Sequence, residues 1–114
     1  MQAWLHEQVT AEKRRALPIL SFPSIQLLGI TVRELISDSD LQAKGMYEVA
    51  KRCPASAAVS MMDLSVEAEC FGSQIRVSDD EVPTVVGSVV GSMEDAQALP
   101  VPQVGAGRTG LYVE

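Results

Sequence analysis

Apolar residues in this chain fall into two short continuous runs, separated by a stretch where they recur every third or fourth position. Leu17, Ile19, Leu20 and Phe22 make the first run (17–22), and Ala57, Ala58, Val59, Met61 and Met62 the second (57–62). Runs of this length without alternation predict strands covered on both faces, as in a parallel sheet. Between them the spacing turns helical. Thr31 with Glu34 three positions later is a capping-box pattern, opening a short helix to about Ile36. Ser39 with Gln42 is a second, opening a longer helix to Cys53. Leu41, Met46, Val49, Ala50 and Cys53 form the inward face of that helix. Pro54 ends it, because the residue before a proline avoids helical geometry. Strand, helix and strand over roughly forty residues predict one right-handed βαβ unit.

The flanks are less regular. Residues 4–15 read as a surface helix, with a narrow stripe through Trp4, Leu5, Gln8 and Val9. Pro23 and Gly29 bracket an irregular connection. After the second run comes a turn at Asp63 and a short acidic helix to Phe71, closed by Gly72. Residues 74–78 alternate polar and apolar, as a partly exposed strand does. Asp79, Asp80 and Glu81 read as a solvated turn, and residues 82–90 as extended but broken by Pro83 and Gly87. Ser92 caps a brief helix to Leu99. Pro100, Pro102, Gly105 and Gly107 then make a rigid connection to Arg108, and Leu111, Tyr112 and Val113 read as the first turn of a further element.

Composition narrows the function classes. With 46% hydrophobic and 21% charged residues the chain folds, and with 4% aromatics its core is aliphatic. Nine Lys and Arg against fifteen Asp and Glu give a net charge of −6, the wrong sign for a nucleic-acid binder. The two basic clusters, Lys13-Arg14-Arg15 and Lys51-Arg52, fall near predicted helix C-termini, where cations suit the dipole. Cys53 and Cys70 form neither a disulfide framework nor a self-contained zinc site, and the single His6 reads as a surface residue. No apolar run is long enough to span a bilayer, and no secretory leader pattern opens the chain. A cytoplasmic protein is expected.

The candidate chemistry sits where the second run stops. A buried strand ending in a carboxylate is where α/β enzymes place working groups, since the side chain emerges at the mouth of the sheet. Asp63 is that carboxylate, and it is equally placed to cap the helix behind it. Glu67, four residues on, can reach the same side of the turn as a second carboxylate. Cys70 reads as a small buried hydrophobe.

The block from Met62 to Glu69, followed by Phe71-Gly72, resembles the uroporphyrinogen decarboxylase superfamily. Val82-Pro83-Thr84-Val85 and the connection from Leu99 to Gly107-Arg108 extend the resemblance. It implies an α/β chain forming the N-terminal part of a TIM (β/α)8 barrel, which typically needs about 250 residues. The 114 residues would supply the first two βα units and an irregular extended segment, incomplete as a domain. Asp63 matches the aspartate that family members place at the top of the second strand, where in the decarboxylases it holds pyrrole N–H groups. Those enzymes also carry an Arg-rich motif after the first strand, and here residues 23–29 contain neither Arg nor Lys. The wording around Asp63 looks instead like the cobalamin-dependent branch, the methylcobamide:coenzyme M methyltransferases. That branch implies methyl transfer from a corrinoid protein to a thiol or folate, with zinc held by His and Cys of later strands. No metal ligand or cofactor is therefore expected in this chain, while zinc and a corrinoid are implied for the full-length relative. Substrate contact is expected from Asp63 and Glu67, and a tetrapyrrole-like ligand is the other possible partner. Porphyrinogen decarboxylation is the alternative activity. A non-catalytic module that pairs with a partner chain is the alternative class, since open sheet edges invite self-association.

Overall fold

A computed structural model describes residues 1–113. Its elements are α1 (Gln2–Thr10), α2 (Ser24–Leu28), α3 (Val32–Leu35), α4 (Ser39–Arg52), α5 (Ser65–Cys70), β1 (Gln74–Arg76), β2 (Thr84–Val86), α6 (Met93–Ala98) and a 3-10 helix (Gly107–Tyr112).

Side-chain caps set the starts of α3, α4 and α6. The capping box at α3 is complete: Glu34 N donates to the Thr31 hydroxyl at 3.1 Å, and Thr31 N donates to the Glu34 carboxylate at 2.8 Å. The second box does not form. Asp38, not Ser39, caps α4 by accepting from Leu41 N at 2.9 Å, an equally favoured cap residue one position earlier that leaves Ser39 as the first helical residue. Gln42 is thereby turned inward and buried. Ser92 caps α6 by accepting from Asp95 N. Helix α1 stops at Thr10 and buries no residue. A short helix without a packing partner does not propagate, so Lys13, Arg14 and Arg15 lie in irregular chain rather than at a helix C-terminus.

The core gathers where α3 meets α4 and the second apolar run. Val32, Leu35, Ile36 and Met61 are buried, with Phe22, Met46, Val77 and Tyr112 packed around them. Helix α2 approaches α4 so closely that a Cβ on Gly45 would stand 2.7 Å from the Ser24 hydroxyl oxygen.

The parallel sheet expected of the two apolar runs is absent among the described residues: 17–22 and 57–62 form no ladder, with a turn at Phe22 and a bend at Ala57. They do run side by side in the same direction. Ser56 N donates to Ala16 O at 2.9 Å, and the Ser21 hydroxyl donates to Met62 O at 3.5 Å. Two strands alone do not sustain parallel pairing, which needs covered faces and further neighbours. Leu17 and Ile19 are accordingly 49% and 58% exposed. The sheet that does form is antiparallel, β1 with β2, placing Ile75 opposite Val85. Its connecting turn is not merely solvated. Asp79 O accepts from Val32 N at 2.8 Å, and its carboxylate pairs with Arg33 at 3.1 Å. These bonds fasten the hairpin to the first turn of α3.

Candidate functional site

Helix α5 carries the site because both of its ends are well specified. At the start, Asp63 Oδ1 accepts from Ser65 N at 2.9 Å and from the Ser65 hydroxyl at 2.6 Å. At the end, Gly72 adopts φ +92°, which only glycine tolerates easily. Gly72 N donates to Glu69 O and Ser73 N to Ala68 O, closing a Schellman motif.

The 3-10 helix then returns over α5 and brings two further side chains to Asp63. Arg108 donates from Nη1 to Asp63 Oδ2 at 2.6 Å, from Nη2 to the Ser65 hydroxyl at 3.0 Å, and from Nε to Glu69 Oε2 at 2.6 Å. The Tyr112 hydroxyl donates to Asp63 Oδ2 at 2.9 Å. The Asp63 side chain is 1% exposed and that of Arg108 15%. A carboxylate offers about four acceptor positions, and here each is filled.

Charge follows from this geometry. Burial works against the Asp63 carboxylate, but the hydrogen bonds from Ser65, Arg108 and Tyr112 outweigh it and hold its pKa below the ordinary 3.8. Burial likewise opposes the Arg108 cation and is overcome by Asp63 and Glu69. Tyr112 is pushed well above the usual phenol range, first by burial and then by the adjacent Asp63 charge. The site is an ionised pair with a neutral phenol beside it.

A pocket of about 340 Å³ opens against this cluster. Met61, Met62, Asp63, Glu67, Thr109 and Tyr112 line it, and no lysine or arginine does. Glu67 is exposed on its rim, so the structure brings both sequence-predicted carboxylates to one pocket. Cys70 lies behind, donating its thiol to Ala106 O at 2.9 Å. His6 is exposed on α1. Among the described residues no three His, Cys, Asp or Glu side chains converge as a metal requires, so these residues do not fit a zinc site.

A family model described as Uroporphyrinogen decarboxylase (URO-D) matches residues 14–114. The chain belongs to that family. Uroporphyrinogen decarboxylase relatives fold as TIM barrels, and this chain is a helix-rich α/β structure with a small two-stranded sheet. No curated protein and no solved structure matches it. The matched span contains all the members of the cluster: Asp63, Ser65, Glu69, Arg108 and Tyr112. Of these, sequence reasoning singled out only Asp63 as a working group. Arg108 carried two signals, its place after a Pro- and Gly-rich connection and its part in the family resemblance, but neither pointed to a carboxylate 45 positions away.

Proposed function

We propose that the chain is the N-terminal part of a uroporphyrinogen-decarboxylase-family barrel of the methyltransferase branch, acting in the cytoplasm. Such an enzyme moves a methyl group from a corrinoid protein to a thiol or folate. One observation carries this reading: among the described residues, the pocket beside Asp63 holds the Asp63 and Glu67 carboxylates and no free cation. Arg108, the nearest cation, is already committed to Asp63 and Glu69. Residues 23–29 form α2 and its caps without a basic side chain. A polycarboxylate porphyrinogen entering here would lose hydration without gaining ion pairs, and each unpaired buried charge costs several kcal/mol.

The chain's own contribution is a wall of the pocket and a fixed, ionised acceptor. The charge and orientation of Asp63 are set before a ligand arrives, by Ser65 and Arg108. Zinc and a corrinoid belong to the proposed whole enzyme, where a bound zinc would lower the pKa of the accepting thiol.

Titration of the chain with hydroxocobalamin and with coproporphyrin III, followed by calorimetry, tests the reading. Binding of the corrinoid and none of the tetracarboxylate is expected. The reverse preference returns the site to the porphyrinogen decarboxylases.

A second reading, association with a partner chain, draws on surface area. The chain exposes 8233 Å², against about 6,000 Å² for a compact monomer of its mass. The extended runs 17–22 and 57–62 also present backbone without ladder partners.

A further inference from the structure

Asp63 has no acceptor position to spare, so a ligand that reaches it must replace something. Its three partners are not equally replaceable. Ser65 donates through its own backbone at the first turn of α5. Arg108 is held from behind by Glu69, and its bond to Asp63 joins opposite charges. Tyr112 differs on two counts. It lines the pocket together with Asp63, as neither Ser65 nor Arg108 does. Among the described residues its hydroxyl donates to Asp63 Oδ2, beside the Arg108 guanidinium that shares that oxygen. That bond comes from a neutral donor, weaker than the charged one from Arg108.

We propose that Tyr112 is a place-holder on Asp63: a hydrogen-bond donor of a pocket ligand takes its position on Oδ2, while Ser65 and Arg108 keep the carboxylate in place. The inference rests on the pocket being the ligand site. It defines the ligand by chemistry, since only an N–H or O–H donor can make the exchange and a carboxylate cannot. Primary amides on a corrinoid periphery and pyrrole N–H groups of a porphyrinogen both qualify. Tyr112 packs its ring against the core, and because the hydroxyl is fixed to that ring the exchange requires a tilt of the side chain away from Oδ2.

The test compares the wild-type chain with Tyr112→Phe and Arg108→Lys, titrated with hydroxocobalamin and with coproporphyrinogen III, the fold of each checked by circular dichroism. Tyr112→Phe removes the competitor and keeps the ring. Affinity for the true ligand class should rise about three- to tenfold, the worth of one net hydrogen bond. Arg108→Lys, which loses the fork that fixes Asp63, should move affinity the other way. A gain with hydroxocobalamin alone assigns the donor to amides. A gain with coproporphyrinogen alone keeps the exchange and overturns the methyltransferase reading. Unchanged or weaker binding by Tyr112→Phe overturns the exchange and leaves the pocket standing. Absence of binding by all three proteins overturns both. On the wild-type chain, the ring-carbon resonance of Tyr112 should shift on ligand addition as its hydroxyl leaves Asp63, and an unmoved resonance in a bound complex also rules the exchange out.

Discussion

Asp63 is buried to 1% exposure with its charge intact, and Arg108 is the group that makes this tolerable. Arg108→Ala removes the countercharge and leaves a desolvated carboxylate, so a loss of about 3 kcal/mol is expected in urea denaturation. The pH dependence has a definite sign. The folded pKa of Asp63 lies below its ordinary 3.8, so the unfolded chain binds the proton first. The stabilisation is present above about pH 4 and is lost as pH falls through the folded value. Tyr112 gives the mirror image: its folded pKa lies above the ordinary 10.0, so stability falls as pH rises past 10. Denaturation midpoints across pH check both limbs, and Asp63→Asn should flatten the acid one. Asp63 was legible in the sequence because it ends an apolar run. Arg108 and Tyr112 were not, because contact across 45 and 49 residues depends on where the 3-10 helix returns.

Elements were legible where their information is local. The Thr31 box, the Ser92 cap and the Gly72 stop each need only a few adjacent residues, and each formed. The strands needed partners far along the chain, and there the apolar pattern specified extended backbone but not pairing. The α2–α4 crossing shows how packing overrules propensity. Alanine is the better helix former at position 45 by about 1 kcal/mol, yet its Cβ would meet Ser24 Cβ at 2.9 Å and the hydroxyl at 2.7 Å. Gly45→Ala should therefore destabilise by about 1–2 kcal/mol. The double change with Ser24→Gly should recover most of that loss, a coupling that a double-mutant cycle of unfolding free energies measures. Among the described residues the buried Ser24 hydroxyl has no hydrogen-bond partner, so little is lost with it.

At the scale of the whole molecule the chain is extended: its radius of gyration is 17.3 Å, against about 13 Å for a compact domain of this length. The family membership read from the block around Asp63 held, because that block is contiguous. Overall dimensions were not legible, since they depend on how loosely the elements meet. An excess of surface and unpaired extended segments predicts concentration-dependent assembly. Light scattering across a dilution series should give masses above 12.2 kDa at the concentrated end, and a constant monomer mass would reject the association reading.

The bond between Asp63 and Arg108 joins positions 45 residues apart, and everything between them, the hairpin and α6 included, is the loop it closes. Closing so long a loop costs entropy that grows only with the logarithm of its length, so the intervening segment can be long without weakening the clasp in proportion. Residues 87–89 and 91 in that loop are exposed. A chain severed there would remain one particle at neutral pH, its two pieces joined by the Asp63 pair, the Glu69 and Cys70 contacts and the Tyr112 ring, and protonating Asp63 in acid would loosen that joint.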